Sequence, residues 1–194
     1  EKYNTSAKLK SNKNFSHIGK KFTIEFWTKI NSIENTLFSK DSLSLEVQNN
    51  NFCMKYMNKI LPYSKLGEYN ISFDSWIHLG ISYKKNKGKI LLYFNCELIM
   101  SFMVNLSEDI GIKGDLIFGN GNFDGEITEI RIWKDQLPQK FLKENYKSPL
   151  PILADNKKKM RMKINKHEKD KKFDVAKNST NNRKEIFFIL FYFY

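Results

Sequence analysis

Phe22-Thr23-Ile24-Glu25-Phe26-Trp27-Thr28-Lys29-Ile30 is the stretch that decides the fold. Phe22, Ile24, Phe26 and Ile30 share one parity, and aromatic and β-branched residues dominate. Successive side chains of a strand point to opposite faces, so this period of two marks a strand against a core. The parity recurs outward along the chain: Leu43, Leu45 and Val47; Phe52, Met54 and Tyr56; Ile77, Leu79, Ile81 and Tyr83. Residues 90–94 are apolar on both parities, as a central strand requires. Residues 97–102 continue through a tight turn at Asn95-Cys96, and Lys87-Gly88 marks the hairpin before them. Two late strands follow, at 115–118 and 126–133. Between them lies Gly119-Asn120-Gly121-Asn122-Phe123-Asp124-Gly125, a loop with strong turn chemistry. The period then changes, and residues 138–146 read as a short helix with Pro138 near its first turn. Many short strands with regular turns predict an all-β fold, a two-sheet antiparallel sandwich closed by a short C-terminal helix.

The chain has 194 residues and a formal net charge of +12, from 33 Lys and Arg against 21 Asp and Glu. That length suits one domain with a tail, not a two-domain enzyme. The charge invites a nucleic-acid or anionic-membrane reading. Only Arg131, Arg161 and Arg183 are arginines, however, and phosphate sites favour the bidentate fork of Arg. Lys, Asn, Ile, Phe and Tyr dominate the composition, as AT-rich codons dictate. Residues 148–194 hold more than half of the net charge. Within them, residues 157–172 form a nearly continuous charge run, and the last eight residues are FFILFYFY. The expected division is a sandwich over 1–150 and a basic, disordered low-complexity tail over 151–194. No aromatic residue interleaves with the charge run to stack bases, so no nucleic-acid partner is expected. No apolar run reaches the roughly 20 residues of a spanning helix, so no membrane span is expected within the chain. The start at Glu1 reads as part of a longer product. Sequons at Asn4, Asn14, Asn70, Asn105 and Asn178 lean toward a secreted or cell-surface setting. Two cysteines, Cys53 and Cys96, exclude a disulfide-dense scaffold and leave a single bridge open.

The order of these strands resembles the laminin-G-like jelly roll, a branch of the concanavalin A-like lectin/glucanase superfamily. Residues 22–27 (FTIEFW), 76–83 (WIHLGISY), 90–99 (ILLYFNCELI) and 118–137 carry the resemblance. Within them Trp76 and His78, Leu92-Tyr93-Phe94-Asn95, Phe123, Gly125, Ile127, Glu129 and Arg131-Ile132-Trp133 match in order. Cys96 departs from it, standing where the family usually has the hairpin Gly. The resemblance covers roughly residues 5 to 150. It implies six or seven strands in each sheet, and a fold that serves lectins, hydrolases and adhesion modules alike.

A retaining glycosidase needs two carboxyl groups about 5 Å apart. Glu126 and Glu129 are the nearest candidates, but acids three apart on a regular strand face opposite ways, and only a bulge would rescue the geometry. Catalysis is therefore not expected. His78 is expected to pack and hydrogen-bond. Asn120, Asn122 and Asp124 are the candidate ligand-binding residues of the rim loop. With Asp115 nearby, Asp115, Asn120 and Asp124 are the candidate Ca²⁺ ligands, and several laminin-G-like modules bind Ca²⁺ at such a loop. Trp27, Trp76 and Trp133 sit inside strand patterns, which favours packing. Trp27 lies opposite Phe22 and Phe26 in parity and is the best of the three for a ligand. These readings predict a non-catalytic binding module for a glycan or protein ligand. An intracellular interaction scaffold is the alternative, and a glycoside hydrolase a distant one.

Overall fold

Two antiparallel sheets face each other, and the core fills the space between them. The computed structural model describes residues 7–9, 20–40, 43–105, 116–119, 123–147, 174–178 and 186–190. The smaller sheet runs, in spatial order, β1 (Ala7–Leu9), β11 (Leu116–Phe118), β3 (Glu34–Lys40), β4 (Leu43–Gln48), β5 (Asn51–Tyr56) and β6 (Lys59–Ile60). The larger runs β13 (Asp174–Asn178), β14 (Ile186–Leu190), β12 (Gly125–Trp133), β2 (Lys21–Ile30), β8 (Trp76–Lys84), β9 (Lys89–Phe94), β10 (Glu97–Met103) and β7 (Tyr63–Lys65).

The period-two residues supply the core. Phe22, Ile24, Phe26 and Ile30 of β2 are buried with Ile77, Leu79, Ile81 and Tyr83 of β8. They meet Leu43, Leu45 and Val47 of β4 and Phe52 and Met54 of β5 in one cluster. Phe26 and Phe38 both pack on Phe118, at 5.4 and 5.5 Å between ring centroids. A buried aromatic or aliphatic side chain of this size stabilises by about 1.5–3 kcal/mol, which makes this cluster the main favourable term.

A second cluster lies on the outer face of the large sheet. The chain returns across that face after β12, ending in helix α1 (Gln139–Asn145). Leu137 and Leu142 bury Tyr93, Cys96 and Trp133 beneath them. This cover explains why β2 and β8 are buried on both faces in mid-strand although each shows a one-sided apolar pattern. Thr23 and Ser82, polar and fully buried there, hydrogen-bond each other, and Thr23 Oγ1 also donates to the Asp135 carbonyl.

Three parts of the chain depart from the sequence reading. β3 has no clean alternation because its register shifts between Thr36 and Phe38, which turns both Leu37 and Phe38 inward. β6 and β7 are short edge strands whose residues are exposed, so no apolar periodicity announces them. The tail was expected to lack regular structure, yet β14 pairs with the edge of β12, and β13 pairs with β14. The physical reason is open hydrogen-bonding capacity: an edge strand presents unpaired backbone groups, and Ile186–Leu190 is an apolar, β-prone run. The charge run 157–172 lies outside the described residues.

Candidate ligand-binding face

The outer face of the large sheet carries a buried carboxylate at its centre. Glu25 on β2 is 1% exposed and accepts a hydrogen bond from Trp133 Nε1 at 2.8 Å. His78 Nε2 stands 3.1 Å from its other oxygen, and Arg131 Nη1 stands 3.8 Å away. Arg131 also donates to the Asn145 carbonyl at 3.0 Å, tying α1 to the sheet. On the far side of the imidazole, Cys96 Sγ lies 3.5 Å from His78 Nδ1.

Cysteine, histidine and glutamate in line have the order of an activated nucleophile. Burial forbids that chemistry. Desolvation first, then the charges of Glu25 and Glu97, push the Cys96 thiol up to about 12, so no thiolate is available near neutrality. The rings of Trp27 and Tyr146 each pack 5.4 Å from His78 and close the approach. The array clamps the return segment onto the sheet, and His78 packs and hydrogen-bonds as its sequence context predicts.

The two candidate acids need a correction. The register of β12 on β2 shifts between Thr128 and Arg131, and Glu129 takes φ 50. This β-bulge inserts a residue and brings Glu129 to the same outer face as Glu126, not to the opposite one. Each acid is nonetheless engaged: Glu129 Oε2 accepts from Arg131 Nη2 at 3.0 Å, and Glu126 Oε1 lies 3.5 Å from Lys29 Nζ.

Tryptophan exposure also differs from expectation. Trp27 is half-buried, stacked on Tyr146 at 5.9 Å and 17°. Trp133 is 5% exposed and held by Glu25. Trp76, at the start of β8, is 44% exposed. Lys29 pairs with Trp76 in register and Trp27 with His78, so the two indoles are diagonal neighbours on one face. Parity with His78 places Trp76 on that face. Its position at the strand end, beyond the cover of the return segment, leaves it open.

Beside Trp76 lies a charged group. Lys29 Nζ reaches Asp74 at 2.6 Å as well as Glu126, and the hydrogen bond it donates to Asp74 raises the Lys29 pKa. Asp74 takes φ 60, and its N–H donates to the Ile30 carbonyl. Gly125 is required next to it, because a Cβ there would overlap the Lys29 carbonyl oxygen. The Asp124 N–H donates to Asn35 Oδ1 at 2.6 Å, and Asn31 N–H donates to the Asp124 carbonyl at 2.9 Å. Asp124 therefore anchors the rim to the β2–β3 connection. Asp115, Asn120 and Asn122, the other rim-loop candidates, lie outside the described residues. Among the described residues no three His, Cys, Asp or Glu side chains group as metal ligands.

The outer face of the small sheet is polar. Glu46 on β4 accepts from Ser44, Gln48 and Lys55 at 2.9, 2.9 and 2.7 Å. Burial pushes its carboxyl up, but these hydrogen bonds outweigh that and hold it below the usual range. Cys53 stands opposite Glu46 on this face. Cys53 and Cys96 thus lie on opposite outer faces of the sandwich, and both are free thiols. A bridge between them is impossible with the core in between.

Sandwich, rear-face helix and carboxylate clamp together define a jelly roll of the lectin-like class. The chain belongs to the concanavalin A-like lectin/glucanases superfamily, through a laminin G-type family whose model matches residues 1–141. Solved structures share the fold. The binding domain of botulinum neurotoxin DC, in complex with SialylT, is 18% identical with a TM-score of 0.57, over 72% of this chain and 38% of that one. The serotype G binding domain is 18% identical with a TM-score of 0.56, over 75% and 41%. The serotype D ligand binding domain, in complex with N-acetylneuraminic acid, is 20% identical with a TM-score of 0.55, over 73% and 39%. The chain thus spans only about two fifths of the length of these structures. No curated protein sequence matches it.

Proposed function

We propose that the chain is a non-catalytic binding module, with residues 1–150 as the binding domain, and that its ligand is a glycan held at the open end of the large sheet's outer face. The observation that carries this reading is Trp76: an indole 44% exposed, next to Trp27 and beside the Lys29–Asp74–Glu126 group. An exposed indole gives the apolar face of a sugar a stacking surface. Flanking charged side chains give its hydroxyl or carboxylate groups hydrogen-bond partners. Two similar structures, of which this chain covers about two fifths, were solved with SialylT or N-acetylneuraminic acid, which supports a sugar as the ligand class. Engagement of Glu129 by Arg131 favours binding over hydrolysis.

The test is a glycan array followed by titration of the hits. Trp76→Ala should weaken binding about tenfold, from the roughly 0.5–1.5 kcal/mol of ring stacking plus lost area, without lowering the melting temperature. An array with no hits supports the second reading, an interaction scaffold, which the two free thiols favour. Hydrolysis of a β-glucan that is lost in Glu126→Gln or Glu129→Gln would overturn the non-catalytic reading.

A further inference from the structure

The opposite end of the same outer face has a different chemistry. Lys21 of β2 pairs in register with Lys84 of β8, and Lys84 with Lys89 of β9. Lys89 pairs with Met103 of β10, whose N–H donates to the Pro62 carbonyl at 2.9 Å. Residues directly paired across antiparallel strands share a face. Their chain neighbours Phe22, Tyr83, Ile90 and Phe102 are buried in the core, so this row points outward. It lies just beyond the return segment that covers Thr23 and Ser82.

Like charges directly opposite one another on a sheet are destabilising. Three lysines in consecutive register positions therefore cost stability. Lys21 is compensated by Asp135 at 3.1 Å; Lys84 and Lys89 make no ion pair among the described residues. The row then turns apolar: Met103 is 47% exposed.

We propose that this row is a docking surface for an anionic phospholipid bilayer. The lysines would meet the headgroups, with Met103 entering the interface beside them. One observation favours a bilayer over a soluble polyanion. Exposed Met103 adjoins the cations in the same register row, and an apolar side chain gains from an acyl boundary but not from a polymer chain. Lys29 lies eight positions beyond Lys21 on β2, roughly 26 Å of strand, so this surface is independent of the proposed sugar end.

The test uses the full 194-residue chain, sedimented with phosphatidylcholine vesicles with and without phosphatidylserine. The tail lysines bind such vesicles as well, so the readout is the difference between parent and variant. Each lysine near an anionic surface is worth about fivefold in binding, so Lys84→Gln with Lys89→Gln should weaken binding about 25-fold. Met103→Ser should weaken it several-fold more, and only on phosphatidylserine vesicles. All variants should melt no lower than the parent, since the lysine substitutions relieve repulsion and Met103 is exposed. Three outcomes overturn the proposal. The parent fails to bind phosphatidylserine vesicles; the double variant binds them like the parent; or Met103→Ser is silent while a soluble sulfated polysaccharide displaces the parent. The last result assigns the row to a polyanion instead.

Discussion

Cys96 shows how one residue can be placed against its own preferences. It occupies the second position of a two-residue hairpin with φ 66, where glycine is at ease and a Cβ is strained by about 1 kcal/mol or more. In return its side chain is fully buried against His78. The burial has a pH signature. The native thiol keeps its proton up to about pH 12, against 9.0 for the free group. This group's native pKa is raised, so its full contribution to stability is present below the unfolded value and is lost as pH rises toward the folded one. Between those limits stability should fall by about 1.4 kcal/mol per pH unit. Denaturant midpoints of parent and Cys96→Ala, measured near pH 8 and near pH 10, should diverge in that direction. Native thiol labelling near neutrality should reach half-buried Cys53 and spare Cys96; equal labelling of both would contradict the geometry. The sequence revealed that a turn sits at Asn95-Cys96. It could not reveal the burial, which depends on α1 returning over a strand about 40 residues earlier in the chain.

At the level of elements, three hairpins of the sandwich share one design. Asn49-Asn50, Met57-Asn58 and Asn95-Cys96 all have both central residues at positive φ, and each is closed by a directly paired residue couple. Such turns match the twist of the flanking strands and ask for Asn or Gly. Met57 at φ 49 is the misfit, exposed by 58% and making no compensating contact in the core. Met57→Gly should therefore raise stability by about 1 kcal/mol, read as a higher denaturant midpoint at unchanged slope. The same comparison shows what sequence can convey about elements. β2, β4, β5 and β8 were legible because each keeps strict parity between core and exterior. β3 was not, because its bulge at Thr36–Phe38 sets two adjacent residues inward and erases the period. The bulge in β12 was equally silent, and it reverses the face of Glu129. Trp76 was legible in parity but not in exposure, since exposure depends on how far the covering segment reaches.

The arrangement of the whole molecule bears on where the binding domain ends. Among the described residues, those of the two buried clusters lie between Phe22 and Leu142. The carboxylate clamp closes at Asn145, the last residue of α1. β14 meets the sandwich through the edge of β12, and β13 pairs with β14. A chain ending at residue 150 should therefore keep one cooperative unfolding transition, at a midpoint close to that of the full chain. It should also lose the strand that caps β12. An uncovered edge invites pairing with another copy, and removing the tail takes away more than half of the net positive charge that keeps copies apart. The shortened chain should thus be as stable as the full one at low concentration and self-associate as concentration rises, most strongly in high salt. Light scattering across a concentration series, alongside calorimetry of both chains, separates the possibilities. A broad or lost transition in the shortened chain would show that β13 and β14 are integral to the domain. A sharp transition without self-association would show that the edge of β12 protects itself.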